Sequence, residues 1–374
     1  MAKGVARTGI SHRQILTACF GDEDQSLRAL EACALPDGGE IDAATGRMLP
    51  FLYRRWGALA GNRLVEMGHC TYLATWRQNR ERMAHLAAVL DEFEQAGIPC
   101  MLLKGAALIL RNYRDYGLRG MGDFDLLIRP SDLERAVGLL IRNGWTPEEG
   151  CSLEAILRQA RVRHAWQFFR ADQSCDLHWR PLARCYSPEV SEMFWQGSEA
   201  VELEGHAVQV PGATDQFFHT SVHAMHWEWT RNLYWMADAI TALRDGEPDW
   251  DRVAALAAKS GMRAQLAGAL AALAAQFQLA IPKQVSGADV PAWEQREYRL
   301  MQKPCPLGLV DSIAWHRYHF RRIRQFDSRW SGIPAWTGFP QYLAAFLDAP
   351  DWRTCLTELW LQARARARQP QREM

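Results

Sequence analysis

The segment Gly122-Asp-Phe-Asp-Leu-Leu-Ile128 sets two acidic residues at alternate positions inside an otherwise apolar run. Such alternation predicts a β-strand on which Asp123 and Asp125 face the same way and Phe124 is buried behind them. Adjacent carboxylates repel each other unless a proton or a metal ion separates them. A second apolar segment, Cys175-Asp-Leu-His-Trp179, predicts another strand end carrying Asp176, with His178 two residues on and therefore on the same face. Three converging aspartates call for a divalent cation. The fold must therefore bring these strands together.

The surrounding pattern predicts a small mixed sheet between two helical blocks, an α+β chain. Residues 1–97 read as an N-terminal helical region. Apolar positions recur at helical spacing from Leu64 to Phe93, and Gly97 followed by Pro99 is a stop signal. Residues 98–211 read as the core. Met101 to Leu103 is a strand ending in Lys104-Gly105, and Ala106 to Tyr113 is a helix. Leu118 to Gly122 is a turn and Asp123 to Ile128 a strand, followed by a helix over Leu133 to Arg142 with Ser131 as its N-cap. Two hairpins follow, Ala165–Phe169 with Ser174–Trp179, and Ala200–Leu203 with Ala207–Val210. Residues 212–374 read as a C-terminal helical region, with loops over 284–310 and 328–340 where Pro, Gly and Ser gather.

Lys plus Arg and Asp plus Glu both number 43, so there is no overall electrostatic case for wrapping DNA or coating an anionic membrane. The arginines at 364, 366, 368 and 372 read as a solvated tail. The nine cysteines form no Cys-x-x-Cys pair, no apolar run is long enough to cross a membrane, and the N-terminal residues lack an apolar leader core. A reduced, cytoplasmic, membrane-free protein is expected.

The acidic cluster suits Mg²⁺, a hard cation that prefers carboxylate oxygens and keeps several waters. Carboxylates at i and i+2 on a strand can bridge two such ions about 3.5–4 Å apart, the arrangement that phosphoryl and nucleotidyl transfer require. The turn at Lys104-Gly105 supplies the complementary half. Gly105 admits a phosphate close to the backbone, the amides opening the next helix point at it, and Lys104 and Arg119 add positive charge.

Leu102-Leu-Lys-Gly-Ala-Ala107, Leu118-Arg-Gly-Met-Gly-Asp-Phe-Asp-Leu-Leu127 and Cys175-Asp-Leu-His-Trp179 together resemble the uncharacterised bacterial nucleotidyltransferase family of the polymerase-β-like superfamily. The resemblance runs from about residue 15 to beyond 240 and takes in His219 to His223 and Leu233 to Asp238. It implies a nucleotidyltransferase core in which Asp123, Asp125 and Asp176 bind two Mg²⁺ ions. Lys104, Gly105, Arg119, Gly122, His178 and Asp238 would line the nucleotide side. It also implies transfer of NMP, AMP from ATP, to a hydroxyl or phosphate of an acceptor, with a small molecule, peptide or protein favoured over RNA. One departure stands out: the superfamily's phosphate turn reads Gly-Ser, whereas this chain has Gly105-Ala106.

Blander readings accompany each residue. Lys104 can be a strand-end lysine, Arg119 an ion-pair partner of Asp115 or Asp123, and His178 a hydrogen-bond partner of a carboxylate. Asp238, in an apolar helix, either pairs with a buried partner such as Arg231 or faces the cleft. His219 and His223 stand one helical turn apart, half of a zinc site, and are expected to be core histidines rather than ligands of a zinc hydrolase. Trp227, Trp229 and Trp235 are expected in the core. A module that binds nucleotide or a partner without turnover is the alternative to an enzyme.

Overall fold

The computed structural model describes residues 10–33, 35, 41–59, 61–225, 233–286, 289–303, 309–349, 353–355, 357 and 361. Arg231, Trp227, Trp229 and the basic tail lie outside these residues.

The strands are β1 (Cys100–Leu103), β2 (Phe124–Ile128), β3 (Thr146–Pro147), β4 (Ala165–Arg170), β5 (Gln173–His178), β6 (Ser198–Leu203) and β7 (His206–Pro211). They form one mixed seven-stranded sheet in the order β3-β4-β5-β2-β1-β7-β6. The chain is thus α+β, with helices flanking the sheet. Central β2 runs antiparallel to β1 and parallel to β5. Its five residues are all buried, as a strand with neighbours on both edges and cover on both faces should be.

The helix Arg63–Gln95 explains much of that cover. Asn62 caps it by accepting from the amides of Leu64 and Val65. Met83, Leu86, Val89, Leu90 and Phe93 then pack into one apolar cluster with Leu102, Leu126, Ile128 and Leu177 of the sheet. Gly97, at φ +62°, ends the climb in a left-handed conformation, and β1 starts three residues later. A second cluster joins Phe217, Phe218 and Val222 of the helix Ala213–Ala224 to residues of the helices Trp250–Ser260 and Arg263–Phe277.

Several local expectations are corrected. Ser131 caps nothing; Pro130–Asp132 form a 3₁₀ turn, and the helix Leu133–Arg142 starts without a side-chain cap. Helices Ala292–Met301 and Ala335–Phe346 occupy stretches read as loops. Pro291 and Pro334 stand immediately before them, where proline's fixed φ starts a helix as readily as it breaks one. The short strand β3 had no legible signal. The helix after β1 opens at Lys104 rather than Ala106 and widens into a π-turn over Ile109–Tyr113. No helix among the described residues is long and apolar enough to cross a membrane.

Candidate active site

Asp125 sits inside β2 and is 2% exposed, in register with Asp176 on parallel β5. Paired residues on adjacent strands point to the same face, so the two carboxylates converge as the alternation implied. A carboxylate buried this deeply is costly without partners. Lys104 Nζ lies 2.6 Å from Asp125 Oδ1 and 3.8 Å from Asp176 Oδ2. His178 Nε2 donates to the same Oδ1 of Asp125 across 3.1 Å.

Asp125, Asp176 and His178 offer ligand atoms within 4.8 Å of one another. Asp123 is outside that group. It precedes β2 by one residue, half-buried, near enough for its charge to act on Lys104 and Asp125. His178 thus belongs to this candidate group, whereas Asp123 does not.

The charges do not balance. Burial lifts the carboxyl of Asp176 to about 7, with Lys104 pulling the other way and Asp125 and Asp123 adding to the rise. Asp123 is raised by burial and by Asp125. Burial would also raise Asp125, but Lys104 and the His178 hydrogen bond hold it far below the usual carboxylate range. On Lys104, burial is outweighed by Asp125, Asp176 and Asp123, so the ammonium stays charged. One lysine among three carboxylates leaves uncompensated negative charge, which adds to the larger effect of burial on Asp176. Hard oxygen donors with excess negative charge fit a divalent cation such as Mg²⁺.

The turn at Lys104-Gly105 combines an unusual backbone conformation with close packing. Lys104 holds φ +46°, a left-handed conformation that a non-glycine residue adopts only when its surroundings enforce it. At Gly105 a Cβ would stand 2.8 Å from Arg119 Nη1 and 3.1 Å from Met121 Cγ, so any side chain there would displace the guanidinium. Arg119 Nε in turn bonds both oxygens of Asp238, at 3.0 and 3.2 Å. This answers both open pairings: Arg119 joins Asp238 rather than Asp115 or Asp123. Tyr113 Oη donates to Asp238 Oδ1 at 2.7 Å, and the Arg119 guanidinium lies 5.3 Å from the Tyr234 ring centre. Gly122 is exposed in the bend leading to Asp123.

Asn79 was not anticipated. It is fully buried on the long helix, and its amide donates 2.7 Å bonds to the carbonyls of Tyr116 and Arg119 while accepting from the Met121 amide at 3.2 Å. It thereby pins the loop that carries Arg119 and leads to Asp123. Its signal in the sequence is faint: a polar residue one turn before Met83 on the buried face.

His219 is no ligand candidate. Its Nε2 donates to the Pro181 carbonyl at 3.0 Å, and its ring stacks on His223 at 5.6 Å. Burial, then Lys104, lowers its pKa to about 4, and among the described residues the groups able to hold a metal do not include either histidine. Trp235 is 5% exposed, a core residue as expected.

The family described as uncharacterised nucleotidyltransferase matches residues 43–278. No match was found among curated proteins or among solved structures.

Proposed function

The chain belongs to the uncharacterised nucleotidyltransferase family, and on that premise we propose a Mg²⁺-dependent, polymerase-β-like enzyme that transfers AMP from ATP to an acceptor. The acceptor group is a hydroxyl or phosphate on a small molecule, peptide or protein, and pyrophosphate is released. The observation that carries this reading is the register pairing of Asp125 with Asp176 around Lys104.

Asp125 and Asp176 would hold the cation with His178 beside them, and Asp123 would reach it from the bend. A bound Mg²⁺ supplies charge neutralisation of the triphosphate and acidifies an attacking hydroxyl. The acceptor oxygen forms a bond to the α-phosphorus as the bond to the bridging oxygen breaks, and pyrophosphate leaves with that electron pair. Asp176, beside the attacking oxygen, would help take up the hydroxyl proton. Lys104 and the backbone at Gly105 face the phosphates. Arg119 adds charge there while Asp238 fixes its orientation.

The test is transfer of label from α-labelled ATP to a cell-extract acceptor pool. Asp125→Asn should abolish labelling while leaving the melting curve cooperative, and undiminished labelling in that variant ends the assignment. A second reading, a module that holds nucleotide without turnover, is favoured by Gly105-Ala106, which offers no hydroxyl in the phosphate turn. Nucleotide binding in Mg²⁺ with no pyrophosphate release against any acceptor pool would select it.

A further inference from the structure

A cavity of about 570 Å³ lies apart from the carboxylates, between the helices His12–Phe20, Leu49–Trp56 and Tyr234–Asp245 and the π-turn Ile109–Tyr113. Its size is that of a pocket for a small organic molecule. One wall is aromatic, with ring centres of Phe20 and Phe51 5.1 Å apart and those of Phe51 and Tyr113 5.6 Å apart. Three arginines line it; Arg54 stands 4.0 Å from Asp115 Oδ2, whereas Arg55 and Arg244 are held by main-chain carbonyls rather than by an acid. Arg55 Nη1 donates to the carbonyls of Cys19 and Gly21 at 3.0 and 2.9 Å. Arg244 Nη2 donates to the carbonyl of Phe20. Neither has a carboxylate partner among the described residues, and Arg55 disfavours the charge on Arg244 in addition to the effect of burial. Asn112 borders the cavity, and its Nδ2 donates to Asp245 Oδ2 at 3.4 Å.

Each feature specifies part of a ligand. Two like charges fixed side by side need an anion, and arginine N–H groups suit phosphate oxygens. The aromatic wall suits a flat apolar body. We propose that this cavity is a second binding site, for a nucleoside monophosphate or a close analogue. Its phosphate lies on Arg55 and Arg244, and its base lies against the wall of Phe20, Phe51 and Tyr113.

The site does not depend on the transferase reading, because it shares no residue with the Asp125, Asp176 and His178 group. Tyr113 connects the two regions. It forms part of the cavity wall and donates to Asp238, which grips Arg119 above Gly105. A ligand against Tyr113 therefore acts on the phosphate turn without reaching the carboxylates.

The experiment is calorimetric titration of the full chain with AMP in EDTA, so that no cation bridges nucleotide to the carboxylates. One site per chain is expected. Arg55→Gln and Arg244→Gln, which keep an N–H donor for the carbonyls of residues 19–21, should each weaken AMP by at least about tenfold. Asp125→Asn should leave AMP affinity unchanged. On the unaltered protein, adenosine and ribose 5-phosphate should each bind at least about tenfold more weakly than AMP, a comparison that needs no variant to fold. Undetectable AMP binding, equal binding of AMP and either fragment, indifference to both arginine changes, or loss in Asp125→Asn would each overturn the proposal. The last outcome would return the nucleotide to the carboxylate site, whereas failure of the transferase reading would appear only in the labelling assay.

Discussion

Lys104 Nζ and Asp125 Oδ1 stand 2.6 Å apart, on side chains 22% and 2% exposed, so one ammonium neutralises a carboxylate that water scarcely reaches. Removing one partner of such a pair strands the other's charge, at a cost of about 3 kcal/mol. Lys104→Met should lose that much stability in EDTA, measured by urea unfolding. It should also gain more than the unaltered protein when Mg²⁺ is added, since the cation then replaces the missing charge. An equal Mg²⁺ response in both proteins would show that no cation binds beside Asp125.

Protons and cations compete at Asp176. Its carboxyl, lifted to about 7 chiefly by burial, is protonated in the metal-free protein under mildly acid conditions. Mg²⁺ affinity should therefore fall about tenfold for each pH unit below 7 and level off above it. For folding, the sign is that of a raised acid. The folded state holds this proton more tightly than the unfolded state, so stability from this group is present below about pH 4 and lost as pH rises to 7. Asp176→Asn should thus raise the melting temperature of the metal-free protein above pH 7 by several degrees. A variant no more stable than its parent would mean that Asp176 is not strained by its neighbours.

Asn79→Ala should be far costlier than an average surface change. It leaves two carbonyls and one amide unpaired beneath the loop that carries Arg119. A loss of roughly 3 kcal/mol is expected from the desolvated groups alone. Because the loop also leads to Asp123, label transfer per folded molecule should fall as well. Normal transfer by the folded fraction would confine Asn79 to a structural role.

The last helices are tied to the rest of the chain by a buried ionic network. Glu297, fully buried, accepts from Arg184 Nη1 at 2.8 Å and from Arg322 Nη2 at 2.5 Å. Burial would raise its pKa, but Arg322 and Arg184 outweigh that and hold it low. Its contribution is therefore full above about pH 4.5 and lost as pH falls through the lower folded value. Glu297→Gln should cost about 3 kcal/mol at neutral pH and remove part of the acid sensitivity seen in urea titrations. Unaltered acid sensitivity would place that titration elsewhere.

Period-two alternation around Phe124 and Leu177 was enough to read two strands and to put Asp176 and His178 on one face of theirs, because side-chain direction in a strand is a local property of the backbone. The register that sets Asp125 beside Asp176 is tertiary. The helical period from Leu64 to Phe93 likewise identified the element that covers the sheet. Gly105 was read as admitting a phosphate close to the backbone; what stands close to it in the structure is the Arg119 side chain. Partners were not legible in the same way. Arg119 and Asp238 are 119 positions apart, and Lys104 meets Asp125 only once β1 and β2 pair antiparallel. Periodicity states which face a residue occupies, but which charges meet across that face depends on strand order and helix docking. Those follow from the burial of the whole apolar core, so the partners of Lys104 and Asn79, and which carboxylate His178 meets, belong to the tertiary structure alone.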